Sequence, residues 1–172
     1  EAATLFGLAS VTKPIAAATV MSCVEDSLFA LDDPVARLVP EFLADVDTSV
    51  DWFDPAREEL RSTITVRQLL AHTSGLPEDL PGSYLNFRTL PDLETWTDQM
   101  LRMPLRATPG ATLRYSNVGF AVLGRLVEHA TRNDFWDETN ARILDPLALD
   151  EIVPRPHGAV IDRIADVQDA AR

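Results

Sequence analysis

The apolar segment over residues 10–26 (SVTKPIAAATVMSCVED) most constrains what this chain can fold into. It is rich in alanine and ends in acidic residues, which predicts an α-helix. Pro14 falls in the first turn, where its missing N–H costs little. Because the predicted helix is apolar nearly all round, we expect it to be buried on several sides. Such burial needs layers above and below the helix, and residues 1–9 cannot supply one.

Start and stop signals predict further helices. Asp32-Asp33 followed by Pro34 opens a short helix that ends near Pro40. Residues 65–72 carry a capping box formed by Thr65 and Gln68, with Gly75 as the predicted C-terminal cap. The remaining predicted helices cover residues 91–102, 117–131, 134–144 (capped by Asn133 and stopped by Pro146) and 161–171.

Strand signals are few, at Ile152-Val153 and near Leu113. The stretch over residues 45–62 is polar, acidic and proline-bearing, which predicts a long loop. The sequence therefore predicts a mainly α fold.

Composition excludes several classes of function. A net charge of −12 over 172 residues argues against a nucleic-acid-binding protein, which needs clustered lysine and arginine. No stretch approaches the roughly 20 apolar residues that span a bilayer. Cys23 is the single cysteine, so it forms no internal disulfide and is predicted to be a small buried residue. The histidines lack metal-ligand spacing with carboxylates, and the sequence predicts neither a metal nor a cofactor.

Lys13 is the only lysine, beside fourteen arginines, and it follows Ser10 by three residues. On a helix this spacing puts the amine within reach of the hydroxyl. Lysine can give up its proton when desolvated and arginine cannot, so the pattern favours activation of a serine nucleophile. The alternative is a surface lysine that lies there by chance.

A second group, Tyr115-Ser116-Asn117, stands at the predicted start of the 117–131 helix. A tyrosine beside an ammonium has its phenolate favoured, which suits a general base. The Asn117 amide can bond both a lysine and a substrate carbonyl. The alternative is that Asn117 caps the helix and Tyr115 packs half-buried.

Together these motifs resemble the serine β-lactamase and penicillin-binding-protein superfamily, most closely its class C-like branch of esterases, β-lactamases and D-aminopeptidases. The resemblance covers about residues 5–150. The matching runs, in family order, are residues 6–14 (FGLASVTKP), 31–35 (LDDPV), 64–77 (ITVRQLLAHTSGLP), 109–110 (PG), 115–120 (YSNVGF), 123–124 (LG) and 145–147 (DPL).

The resemblance implies a role for each matching residue. Ser10 would be the acylated nucleophile, and Lys13 would assist its activation. Tyr115 would be the general base or share a proton network with Lys13, while Asn117 would orient Lys13 and the substrate. His72 would hold a turn with its neighbours. His129 and His157 are predicted to be surface or packing residues.

The sequence departs from the family pattern in its third motif, a Lys- or His-containing strand ending in glycine. His157-Gly158 is a poor substitute for it. We therefore expect an interior portion of the fold: the nucleophile helix (residues 1–30), the inserted helical domain (31–145) and a return segment (146–172), without most of the antiparallel sheet. Two glycines common in the family are also replaced, in residues 25–28 (EDSL) and 131–133 (TRN).

Three functions remain open from the sequence. The first is a serine acyl hydrolase acting on a small molecule (a β-lactam, a small ester or a D-amino-acid peptide), inactive without its missing strands. The second is a non-catalytic binding or sensor module of the same fold. The third is an unrelated helical interaction module, which the ordered motifs disfavour. Oligomeric state and localisation carry no signal in the sequence.

Overall fold

A computed structural model describes residues 4–81, 93–154 and 163. Within these residues the chain is mainly helical, as predicted, and contains no strand beyond isolated bridges such as Pro34–Thr65. The helices are α1 (Thr12–Glu25), α2 (Val35–Leu38), α3 (Pro55–Glu58), α4 (Val66–Leu70), α5 (Leu93–Leu101), α6 (Asn117–Thr131) and α7 (Phe135–Thr139). In the described ranges no helix is long and apolar enough to cross a membrane.

The central element is α6, which contacts α1, α2, α4, α5 and α7. Its bounds, Asn117–Thr131, are those predicted from its apolar stripe. Val118, Val122 and Leu126 of that stripe are fully buried. The helix therefore organises the core, and its first turn is fixed relative to all of its neighbours.

Helix α1 packs on α6 and α7, and a 3₁₀ turn over Ala9–Val11 leads into it. Its buried residues are Thr19, Val20 and Cys23, and the burial predicted for Cys23 is confirmed. Val11 remains 66% exposed and Met21 43% exposed. Most other residues of α1 are half-buried, so within the described residues the helix is buried less completely than its apolar sequence predicts.

The capping box predicted at α4 is present, because the Thr65 hydroxyl and the Gln68 side chain bond each other's backbone N–H groups. The predicted cap at Gly75 is wrong. Helix α4 ends at Leu70, and His72 makes the reversal at φ 56°. Gly75 (φ 81°) instead lies against residues 106–107, and a Cβ there would come within 2.1 Å of the Ala107 carbonyl oxygen. Only glycine tolerates both the left-handed backbone and this approach.

The long loop predicted over residues 45–62 is partly helical. The Asp54 side chain accepts from the N–H groups of Ala56 and Arg57, and Pro55 occupies the first helical position of α3. A 3₁₀ turn over Glu59–Thr63 follows directly. The loop prediction followed from the polar, acidic composition, but Asp54-Pro55 is a standard start of a helix.

Other boundaries also differ from the prediction. Asp134, not Asn133, caps α7, and the helical path continues as a π-type turn over Asn140–Leu144. The stretches near Leu113 and Ile152-Val153 are not strands. The predicted 161–171 helix, apart from residue 163, lies outside the described residues, as do residues 91–92.

Each of the two segments in which a family glycine is replaced (residues 25–28 and 131–133) contains one residue with a left-handed backbone. Ser27 has φ 61°, and Arg132, at the C-terminal end of α6, has φ 66°. Both residues adopt this backbone at a conformational cost that glycine would avoid.

A buried arginine joins three segments beneath α5. Arg61 is 1% exposed, and its guanidinium stacks on Phe42 at 4.0 Å from the ring centroid. It donates to the carbonyls of Phe42, Leu101 and Met103 and to Glu58, the last at 2.9 Å. Glu58 in turn accepts from the Leu105 N–H at 2.9 Å.

We expect Arg61→Met to lower the free energy of unfolding by about 3–5 kcal/mol, because it removes the cationic partner of the half-buried Glu58 and takes away the donor of the Phe42, Leu101 and Met103 carbonyls. Urea denaturation would measure the change. The control is Arg37→Met, since the Arg37–Asp33 pair lies at the surface and Arg37 is 65% exposed. That change should cost below about 1 kcal/mol. Equal losses in the two variants would contradict the anchoring role.

Candidate active site

The structure brings Ser10, Lys13, Tyr115 and Asn117 together, although more than 100 positions separate the two motifs. The Tyr115 hydroxyl donates to Ser10 Oγ at 2.6 Å. Lys13 Nζ donates to Ser10 Oγ at 3.3 Å and to Asn117 Oδ1 at 2.6 Å. Its ammonium also lies 4.8 Å from the centroid of the Tyr115 ring and 5.4 Å from that of Phe120. Ser10 Oγ is therefore in contact with both of the groups that could accept its proton, Tyr115 and Lys13.

Asn117 does not cap α6. Ser116 is the N-cap, and its buried hydroxyl accepts from the Gly119 N–H at 2.9 Å while donating to the Pro77 carbonyl at 2.6 Å. Asn117 is the first helical residue, so its amide is free of capping and contacts Lys13. The capping alternative for Asn117 is thus wrong.

His72 forms hydrogen bonds with the residues that precede α6. Its Nδ1 accepts from the Ser116 N–H at 3.1 Å, and its carbonyl accepts from the Arg114 N–H at 2.6 Å. The imidazole lies 4.6 Å from the Tyr115 ring and 5.2 Å from the Phe120 ring, centroid to centroid. Burial, and then the positive charge of Lys13, lower the pKa of His72, which favours the neutral ring that accepts from Ser116.

Opposing effects act on the Tyr115 phenol. Partial burial raises its pKa, but hydrogen bonds with Lys13 and Ser10 and the charge of Lys13 outweigh that effect. The negative charge of Glu78 acts against them. The resulting pKa of Tyr115 lies below its ordinary value of about 10, so the phenolate forms more readily than in water.

Asn117 is also tied to the loop that follows Gly75. Its Nδ2 donates to Asp79 Oδ2 at 3.0 Å, and its backbone N–H donates to the Glu78 carbonyl at 2.8 Å. The sequence predictions missed Asp79. It lies two residues past the matching run that ends at Pro77, and no local spacing links it to a residue 38 positions away.

A cleft of about 460 Å³ opens beside Tyr115, a size suited to a small-molecule ligand. Arg106 stacks on Trp52 in its wall, with Cζ 3.6 Å from the ring centroid. Acidic and basic side chains both face the cleft. The lining residues are Trp52, Pro77, Glu78, Asp79, Leu80, Pro81, Arg106, Arg114 and Tyr115.

His129 contacts a different part of the chain. His129 Nε2 bonds Glu41 Oε1 at 2.6 Å, across α6 and the 3₁₀ turn over Pro40–Leu43. His157 lies outside the described residues. No group of three or more potential metal ligands occurs in the described part of the chain.

Comparison with known proteins gives consistent matches. Esterase EstB of Burkholderia gladioli is 34% identical over 158 residues, covering 85% of this chain and 37% of EstB. Penicillin-binding protein 4 of Amycolatopsis lactamdurans is 29% identical over 161 residues, covering 94% of this chain and 39% of that protein.

A solved structure matches as well. The D-amino acid amidase from Ochrobactrum anthropi SV3, complexed with D-phenylalanine, superposes with a TM-score of 0.65 and 27% identity, over 84% of this chain and 36% of the amidase. The chain spans well under half the length of each of these three proteins.

The family model described as Beta-lactamase matches residues 1–171. These matches confirm the resemblance inferred from the sequence motifs, and the helices of the described residues confirm the mainly α fold class. The chain belongs to the β-lactamase family.

Proposed function

We propose that the protein is a serine acyl hydrolase that works through an acyl-enzyme on Ser10. The observation that carries the proposal is the double contact on Ser10 Oγ, from Tyr115 at 2.6 Å and from Lys13 at 3.3 Å. A serine hydroxyl is a weak nucleophile until a neighbouring base takes its proton. Ser10 is also exposed, so a substrate can reach it.

In the first step Ser10 Oγ attacks the substrate's carbonyl carbon, and the serine proton passes to the Tyr115–Lys13 network. The carbonyl π electrons move to the oxygen, giving a tetrahedral intermediate. Its collapse breaks the bond to the leaving group, which takes the proton and departs as an alcohol or amine. Because the two basic groups share one network, the proton belongs to the pair and not to either residue.

In the second step a water molecule attacks the acyl-serine ester and gives its proton to the same network. Collapse releases a carboxylic acid and returns the proton to Ser10. Asn117 holds Lys13 throughout through its Oδ1.

The substrate we propose is a small acyl compound: an ester, a β-lactam or a D-amino-acid amide or peptide. The names of the relatives support this range, since they include an esterase, a penicillin-binding protein and a D-amino acid amidase. The cleft of about 460 Å³ beside Tyr115 suits a ligand of that size.

We expect a fluorophosphonate probe to label the complete protein once, on Ser10, as read by intact mass and peptide mapping. Ser10→Ala should abolish labelling. Lys13→Arg should also abolish it although the charge is kept, because arginine cannot cycle a proton and its planar fork does not fit the contacts of a compact ammonium.

Normal labelling in Lys13→Arg would refute the proposed role of that residue. An unlabelled but folded wild-type protein would favour the non-catalytic binding module.

The acylation rate should rise with pH as the Tyr115–Lys13 network loses a proton, and because the pKa of Tyr115 is lowered we expect a midpoint below about 10. Glu78→Gln should move this midpoint to lower pH, because the Glu78 charge raises the pKa of Tyr115. Stopped-flow acylation by a chromogenic ester at several pH values measures the shift.

Glu25→Gln is the matched control. Glu25 ends α1, about 18 Å along the helix from Lys13 at 1.5 Å per residue, which is beyond the screening length of about 8 Å at physiological salt. Its midpoint should equal that of the wild-type protein. An unmoved midpoint in Glu78→Gln would show that the ionisation of Tyr115 does not control the rise of the acylation rate with pH.

A further inference from the structure

We infer that Asp79 is a positioning residue that fixes the orientation of the Asn117 amide and, through it, the placement of Lys13 beside Ser10. The inference rests on the proposed function and extends it to a residue outside the two motifs. Asp79 Oδ2 accepts from Asn117 Nδ2 at 3.0 Å, and Asn117 Oδ1 accepts from Lys13 Nζ at 2.6 Å.

The chemistry of the three groups allows one orientation of the amide. A carboxylate only accepts hydrogen bonds, and an ammonium only donates them. An asparagine between the two satisfies both when its NH₂ faces Asp79 and its oxygen faces Lys13. A flipped amide would put N–H groups against the ammonium and its oxygen against the carboxylate, so both contacts would become repulsive.

Asp79 is itself held in place by the backbone around it. Two successive residues of the loop contact the N-cap and the first residue of α6: the Pro77 carbonyl accepts from the Ser116 hydroxyl, and the Glu78 carbonyl accepts from the Asn117 N–H. Asp79 is the next residue of the loop, and its side chain contacts the side chain of the same Asn117. Its other carboxylate oxygen, Oδ1, accepts from the Leu80 N–H at 3.1 Å.

Without the Asp79 acceptor, the Asn117 amide can turn and release Lys13, whose distance to Ser10 Oγ is 3.3 Å in the aligned arrangement. Misplacement of a catalytic group by about 1 Å costs roughly 100-fold in rate. The loss that comes from misplacing Lys13 should fall on kcat and on the acylation rate. Because Asp79 also lines the cleft, KM is measured separately.

The test compares two substitutions of similar size in the complete protein. Asp79→Leu removes the acceptor, and we expect the acylation rate of Ser10 to fall about 10- to 100-fold. Asp79→Asn keeps an acceptor for Asn117 and loses the negative charge and the contact to Leu80, so it should stay within about threefold of the wild-type rate if the acceptor is what matters. Asp137→Leu, an exposed aspartate of α7, is the control for loss of an acid and should leave the rate unchanged.

A double-mutant cycle separates positioning from a general structural effect. If Asp79 acts through Asn117, the variant carrying Asp79→Leu and Asn117→Ala should acylate no more slowly than Asn117→Ala alone. Additive losses would overturn the inference. An Asp79→Asn variant as slow as Asp79→Leu would also overturn it, because the negative charge and not the acceptor would then matter.

A readout independent of catalysis distinguishes failure of this inference from failure of the proposed function. The side-chain NH₂ of Asn117, followed by NMR, should exchange slowly with solvent in the wild-type protein and in Asp79→Asn, and quickly in Asp79→Leu. If the wild-type protein is not acylated at all, the proposed function fails while this exchange measurement still decides the amide's anchor. Equal exchange in all three proteins would refute the inference.

Discussion

The site depends on the buried hydroxyl of Ser116. That single group starts α6 by accepting from the Gly119 N–H and holds the loop after Gly75 by donating to the Pro77 carbonyl. Its neighbours Tyr115 and Asn117 are thereby placed on either side of a fixed point. Because α6 packs against five other helices, the position of its first turn is set by the whole core and not by local sequence. The alignment of both side chains with Lys13 follows from that packing.

Much of this arrangement could be predicted, because the signals are local. The stripe of α6, the Thr65–Gln68 capping box and the i, i+3 spacing of Ser10 and Lys13 each depend on residues a few positions apart. The proximity of Ser10 and Tyr115 was predicted from the family resemblance. Physical reasoning on each motif alone left that meeting open, since no periodicity reports a contact across 105 positions.

The wrong predictions for Gly75 and Asn117 have a common physical cause: in each case a nearby residue could fill the same structural position. The pattern predicted the reversal after α4 at Gly75, but His72 makes it. Gly75 lies further along, where a Cβ would meet the Ala107 carbonyl. Asn117 looked like a helix cap, yet Ser116 beside it could cap as well and also reach Pro77. Asp79 carried no signal at all, since one acidic residue among 27 becomes informative only when its partner is known. The proposed division into residues 1–30, 31–145 and 146–172 stays a prediction.

The contrast between lysine and arginine also has a structural basis. Three arginines of the described chain each use several nitrogens of the planar guanidinium. Arg61 bonds buried carbonyls, Arg67 pairs with Asp32 through two nitrogens, and Arg142 joins Glu138 to Asp26. Lys13 instead directs one compact ammonium at Ser10 Oγ and Asn117 Oδ1, beside the face of the Tyr115 ring. A guanidinium in that space would reach past the serine oxygen and would hold its proton at any usable pH. The geometry around Lys13 therefore gives a reason for a lysine here that charge alone does not give.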